Sequence, residues 1–375
     1  MNMNSLAITG IGAVTPVGLS AVASAAAFRA SISRLTSLQA GPEQGPEGAV
    51  PPRRGGRVPL EWFDGGPKDE KWPGHERFEV PLPPPEHLLI ENGVERLVRL
   101  AVPAAVESVQ CALGRSVPPS NWGLFLGLGR EEEAGAGQRL VGAIVSVLGG
   151  FRPALAEVVA EGRAAGLAAL SRAASAITDG KIAGAIVGGV DSLVRPSVYE
   201  RLESDGIIRG PANERGVFPG EAAAFCILEQ QPVRSMAMAS LAATATGQEP
   251  TFGTENPNQA QGLSVVLRAI RSEATLSHLP LFICDLNGDR YRALEWGLAY
   301  TRVFGNLDEK PDAATSGDFW HPADCIGDCG AASGLVDFIW AVEALRKKYA
   351  IVNQVLVWGA SDGGLRAAAL LASQN

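Results

Sequence analysis

The stretch GLAALSRAASAITDGKIAGAIVGGVDSL, residues 166–193, decides the fold. The alanine-rich segment from Ala164 to Asp179 reads as a helix, and the apolar run from Ala183 to Val187 reads as a buried strand ending at Gly188-Gly189. The same alternation continues in both directions. Upstream lie strands at Leu6 to Ile11, Trp122 to Leu128 and Leu155 to Val159, with helices at Ser20 to Ala30 and Val94 to Leu113. Downstream lie strands at Ala224 to Leu228, Leu281 to Cys284 and Gln354 to Trp358. Helices are expected there at Gln259 to Ala274, Tyr291 to Val303 and Ala331 to Lys347. Alternating strands and helices predict an α/β fold whose parallel or mixed sheets are covered on both faces. No short-period repeat is visible, and the pattern fits two similar α/β halves, residues 1–230 and 231–375. Between residues 40 and 85, stretches such as GPEQGPEGAVPPRRGG and PLPPPE predict a long loop with little regular structure.

Composition narrows the class. Of 375 residues, 46% are hydrophobic and 19% charged, enough apolar surface for a large interior, and 44 glycines with 25 prolines imply many turns and close backbone contacts. A formal charge of -8 with no basic run argues against a nucleic-acid partner. Five scattered cysteines, at 111, 226, 284, 325 and 329, read as reduced thiols of a cytoplasmic protein, not a disulfide framework. The opening MNMNSLAITG lacks the pattern of a signal peptide, and no apolar stretch is long and uninterrupted enough for a membrane span.

Four stretches in order resemble the β-ketoacyl synthase family of the thiolase superfamily: ITGIGAVTPVG (8–18), the 166–193 stretch, GVFPGEAAAFCILE (216–229) and CIGDCGAASGLVDFIWAVEALR (325–346). The resemblance implies a thiolase fold, five layers in the order αβαβα built from two similar halves. It implies twofold dimers and chemistry on acyl thioesters carried by acyl carrier protein or coenzyme A. In that chemistry a cysteine at a helix N-terminus accepts the acyl group, and two histidines with a supporting lysine handle decarboxylation and the oxyanion.

Carried over position by position, the resemblance leaves this machinery missing. The family nucleophile stands three residues before the glycine that here is Gly166, which places Arg163 there; Glu161, Gly162, Ala164 and Ala165 offer no Cys or Ser. A guanidinium stays protonated and is no nucleophile. The first histidine falls on Cys284, Asp285 or Asn287, depending on the gap, and Asn287-Gly288 also reads as a tight turn. The second falls on Asp328, and the lysine falls near Ala323. A carboxylate at 328 cannot donate the hydrogen bond an oxyanion needs. Two readings of Arg163 stand side by side: a structural group paired with Asp328 or Glu161, or a receptor for an anionic ligand. The candidate pocket comprises Arg163, Glu221, Asp285, Asn287, Asp328 and Cys329, and no residue is named as catalytic. Cys325 and Cys329, at C-x₃-C spacing without a second pair, make a poor zinc site, so no metal or cofactor is expected. His321 reads as a loop histidine, Glu221 as structural, and Trp296, Tyr300 and Phe304 as core packing at helical spacing.

The expected function is binding: a catalytically degenerate ketosynthase-like subunit acting as a scaffold or adaptor. DLNGDRYRALEW with GDCGAASG resembles a bacterial subgroup found beside type VI secretion cargo genes. The alternatives are an acyltransferase on acyl thioesters, or an inactive chain-length-factor-like partner of an active ketosynthase. Expected partners are a second copy or a ketosynthase-like chain, a protein cargo, or acyl carrier protein.

Overall fold

Strand β1 (Leu6–Val14) is buried at every residue, and two of its glycines explain why. A Cβ on Gly10 would lie 2.1 Å from the Ser108 carbonyl oxygen, and one on Gly12 would lie 2.0 Å from that of Ala104. Helix α2 (Val94–Leu113) therefore lies directly on the backbone of β1. The computed structural model describes residues 6–38, 53–59, 93–114, 117–130, 132, 135–210, 213–230, 237–274, 276–309 and 314–374.

The remaining elements, in chain order, are α1 (Ala21–Arg29), β2 (Thr36–Ser37), β3 (Arg54–Gly55), β4 (Trp122–Leu128), α3 (Ala136–Val147), β5 (Leu155–Ala160), α4 (Ala165–Thr178), β6 (Gly184–Ser192), α5 (Pro196–Ser204) and β7 (Glu221–Glu229). They continue with β8 (Ala239–Gln248), α6 (Gln261–Ala274), β9 (Leu281–Cys284), α7 (Arg290–Phe304), β10 (Phe319–Trp320), α8 (Ala323–Ile326), α9 (Ser333–Arg346), β11 (Gln354–Ala360) and β12 (Leu365–Ala372).

Ten strands form one ladder in the order β10-β9-β11-β12-β8-β1-β7-β6-β4-β5. Its two wings are built alike. β1-β7-β6-β4-β5 and β8-β12-β11-β9-β10 follow the same chain order, with the same two antiparallel and two parallel pairings in each. The wings meet where Leu6, Ala7 and Ile8 of β1 pair antiparallel with Leu241, Ser240 and Ala239 of β8.

Side chains alternating along each strand divide the interior into three apolar clusters. One face of the β1 wing packs on α2 and α3 through Leu124, Leu126, Ile186, Phe225 and Ile227. One face of the β8 wing packs on α6 and α7 through Phe282, Leu356, Trp358 and Leu370. The remaining faces of both wings, including Val187, Ala224, Ile283 and Val357, close on α1, α4 and α9. The layers are therefore αβαβα, as the resemblance predicts. α9 is buried at every residue from Gly334 to Leu345, as a helix between the two wings must be, and the alanines of α4 keep that central layer thin.

The structure extends or corrects several expectations. The sheet is a single mixed ladder of ten strands. The strand expected to end at Gly188-Gly189 runs on to Ser192, because the missing side chain at Gly188 makes room for Phe225: a Cβ there would lie 2.0 Å from the ring. β8 and β12 were not anticipated, nor were α3 and α5. Most of the Pro/Gly-rich 40–85 stretch lies outside the described residues. Its described part, residues 53–59, is tied to the core: β3 pairs with β2, and the Val58 amide donates to the Glu221 carboxylate at 2.7 Å.

The Phe225 slot generates a prediction. Gly188→Ala should destabilise the protein by about 1–3 kcal/mol, the usual range for overpacking a filled core, because a fully buried ring must move. Chemical denaturation with an unchanged m-value would check this. An unchanged midpoint would mean that the slot has slack.

Candidate functional site

Arg163 sits one residue ahead of the Ala164 cap of α4 and is buried. Its Nε donates to Asp328 Oδ2 at 2.6 Å, and its Nη1 donates to Asp362 Oδ2. Asp328 lies in the turn before α9, where Gly327 takes φ +77°. Its backbone is clamped on both sides: its amide donates to the Phe218 carbonyl at 2.7 Å, and its carbonyl accepts from the Gly220 amide at 2.7 Å. Its carboxylate is saturated, since Oδ1 accepts from the Gly330 amide at 2.9 Å and Oδ2 also accepts from Asn287 Nδ2 at 2.6 Å.

Asp362, in the turn between β11 and β12, bridges two cations. Its second oxygen accepts from Arg292 Nη2 at 3.2 Å. Arg292 Nη1 in turn donates to Asp285 Oδ2 at 2.6 Å, and the Ala360 amide donates to the same oxygen at 3.0 Å. The neighbouring Ser361 Oγ accepts from the Ala164 amide at 2.8 Å, satisfying a donor at the start of α4. Arg163, Asp285, Asn287, Arg292, Asp328 and Asp362 thus form one connected network.

The network's electrostatics follow from burial against charge. Burial works against ionising Asp362, but Arg163 and Arg292 outweigh it and bring the carboxyl down to about 2. Burial pushes Asp285 up, opposed by Arg292. Arg163 is also penalised by burial, yet Asp328 and Asp362 hold it more firmly protonated than a free arginine. A charge this well met on both sides has little reason to leave its partners.

Two candidates from the sequence fall elsewhere. Glu221 faces a separate buried cluster, where it accepts from Arg96 Nε and from Ser192 Oγ, each at 2.6 Å. Its segment still touches the network through the Gly220 amide. Cys329 is buried, with Sγ 3.6 Å from the Gly327 carbonyl, and burial followed by nearby Asp328 raises its thiol well above the ordinary range. Cys284 is raised in the same way by burial and Asp337. Such thiols are poor nucleophiles. His321 pairs with Asp324 at 2.9 Å in its loop. Asn287-Gly288 forms the expected turn, with Gly288 at φ +98° and Asn287 Oδ1 accepting from the Asp289 amide. Trp296 and Phe304 pack on Phe282 in the core. Among the described residues no cluster of three or more His, Cys, Asp or Glu could hold a metal ion, and no helix is long and apolar enough to cross a membrane.

Asp362 and Arg292 are the members that sequence reading missed, and Glu161 was offered in their place. A faint signal existed for each. SDGG between two apolar strands marks an acidic turn, and Arg292 follows Asp285 by seven residues in DLNGDRYR. Around the network open two clefts of about 510 and 770 Å³, both lined by Arg163, Arg201, Leu202 and Asp362. A small crevice behind it, lined by Asp285 and Asp337 among others, measures only about 10 Å³.

Paired five-strand wings around a central helical layer, with a site where loops from both wings converge, define the thiolase type of α/β protein. Solved ketosynthases share it. The ketosynthase of bacillaene synthase module 6 from Bacillus subtilis matches 99% of this chain and 72% of its own at TM-score 0.74 and 12% identity. The ishigamide ketosynthase/chain length factor matches 99% of this chain and 100% of its own at TM-score 0.69 and 19% identity. A type II polyketide synthase ketosynthase solved with its acyl carrier protein matches 99% of each chain at TM-score 0.66 and 16% identity. No family model and no curated protein matches the sequence. The chain has the ketosynthase fold.

Removing the guanidinium leaves Asp328 buried with its strongest partner gone. Arg163→Ala should cost about 3–5 kcal/mol, measured by urea or thermal unfolding. Asp362 supplies a pH test. Its folded pKa of about 2 lies below the ordinary value of 3.8, so its contribution is present above about pH 4 and disappears as pH falls toward 2. The side chain is 57% exposed, so solvent screening limits the effect to on the order of 1 kcal/mol. Asp362→Asn should be less stable than the parent at pH 7, and the two should converge below pH 3.

Proposed function

We propose that the protein is a ketosynthase-fold subunit that binds partners and does not condense acyl groups. The observation that carries this reading is the pairing of Arg163 with two carboxylates, Asp328 and Asp362. Where the resemblance puts the acyl-accepting thiol, the chain holds a guanidinium bound to two carboxylates, with Asn287 and Asp328 standing in for the histidines. None of these groups is the thiol on which the family forms its acyl-enzyme, and among the described residues no histidine joins the network to move a proton. Losing general acid–base help alone removes roughly 10²–10⁴ in rate, before the missing oxyanion donors are counted.

The reading extends to assembly. Among the described residues β5 is an edge strand paired with β4 alone, and it is half-exposed along much of its length beside the small-residue start of α4. An edge like this favours isologous pairing with a second copy or with a ketosynthase-like chain. We take the internal duplication to divide at residue 230, in keeping with the repeated strand order. The resemblance of DLNGDRYRALEW to chains encoded beside type VI secretion cargo favours an adaptor role, in the cytoplasm, for a protein cargo. The likeness to a ketosynthase/chain length factor favours a second reading, the silent partner of an active ketosynthase with access to acyl carrier protein.

Incubation with acetyl- and malonyl-thioesters should leave the intact mass unchanged. A stable acyl adduct on any of the five cysteines overturns the proposal. Light scattering at micromolar concentration should show a species of twice 39.1 kDa, or of one copy plus a co-expressed partner. Restoring cysteine with Arg163→Cys should not restore condensation.

A further inference from the structure

α9 starts beside the network and carries the chain roughly 20 Å away from it over 14 residues. Where it ends, aromatic rings gather at the rim of the sheet. Trp320 of β10 stacks on Trp340 at 4.9 Å and on Tyr349 at 6.1 Å, and Phe28 of α1 lies 5.3 Å from Trp340. The Arg29 guanidinium lies 4.6 Å over the Tyr349 ring. Trp320 and Tyr349 are only partly buried, and two aliphatic side chains close by in sequence, Ile32 and Ile351, are more than half exposed. β10 is the last strand of the ladder and pairs with β9 alone among the described residues, which leaves its outer edge able to take another strand.

The charge here opposes that of the chain as a whole. Residues 21–32 and 340–351 carry Arg29, Arg346, Lys347 and Lys348 against one carboxylate, Glu343, in a protein of formal charge -8. Glu343 is buried and already binds Arg346 and Lys347. The other carboxylates flanking Trp320 in the chain are Asp318, before β10, and Asp324, which pairs with His321. Complementing the dipole of α9 accounts for cations in its last turn, but not for Arg29 at the end of α1. The backbone adds a further sign. Ile351 takes φ +50°, a left-handed conformation that a β-branched residue rarely adopts. Burial does not offset that strain, because the side chain is 53% exposed.

We propose that this rim docks an extended acidic segment of a partner protein, laid along the outer edge of β10. Main-chain hydrogen bonds to the edge hold the segment, its apolar side chains cover Trp320, Tyr349 and Ile351, and its carboxylates face Arg29 and Lys348. The edge selects a polypeptide, since neither a lipid surface nor a nucleic acid can extend a sheet. The cations select an acidic one and speed its arrival. The rim is separate from the Arg163 site, so the inference does not depend on whether the protein condenses acyl groups.

The test is fluorescence anisotropy of the full chain with a fluorescein-labelled peptide, DEDDVWVI. It should bind saturably with a Kd below about 1 mM. Its lysine counterpart, KKKKVWVI, should not bind, nor should the acidic peptide N-methylated at every peptide bond. Arg29→Glu combined with Lys348→Glu, both at exposed positions, should weaken binding by about tenfold or more. Ile351→Gly, which takes φ +50° without strain, should melt no lower than the parent and still weaken binding by about fivefold. The idea fails if the acidic peptide does not saturate, if the lysine or N-methylated peptide binds as well, or if either variant binds with parental affinity. Tighter binding to phosphatidylserine vesicles or to single-stranded DNA than to the peptide would overturn it too.

Discussion

A buried guanidinium at the start of a helix is a demand that the rest of the site must meet. The helix dipole disfavours a cation at that end, and burial removes the water that would otherwise solvate it. Asp328 and Asp362 meet the demand from two different loops. To do so, the turn before α9 must present its carboxylate, and the β11–β12 turn must reach back to α4. Asn287 and the Gly330 amide then hold Asp328, while Arg292, itself bound to Asp285, holds Asp362. The positions of four loops follow from one charge.

That charge also joins the two wings. Arg163 belongs to the first, and Asp285, Asn287, Arg292, Asp328 and Asp362 belong to the second. The first wing has its own counterpart: Arg195, after β6, binds Glu132, after β4. In the second, Asp362, after β11, binds Arg292, after β9. The same pair of loops is bridged in both wings with the signs exchanged. These bridges give each loop a fixed partner.

Sequence made the layered fold legible because burial on both sides leaves unambiguous apolar runs. ITGIGAV, GAIVGG and AAFCIL read as strands at once. β8 and β12 escaped because ASLAATATGQ and LRAAALLA are alanine-rich, and alanine has weak strand preference; only pairing with each other and with β11 or β1 makes them strands. The complementarity of Arg163 and Asp328 was legible. The shares of Asp362 and Arg292 were not. Each comes from a turn or helix start whose local sequence fixes its shape but not the distant residue it faces. Glu221 illustrates the converse error, since adjacency in the chain placed it near the site while its side chain turned toward Arg96.

The placement of β1 has a consequence for biosynthesis. Its partners are β7, which ends at Glu229, and the start of β8 near Leu241. A ribosome adding roughly 5–20 residues per second needs on the order of ten to forty seconds to deliver those partners after β1 has been made. Throughout that interval a strand that the finished fold buries at every residue lacks both of its ladder neighbours. The nascent chain is then most open to capture by chaperones or by other emerging copies, and its folding order is set by the arrival of its middle, not its beginning.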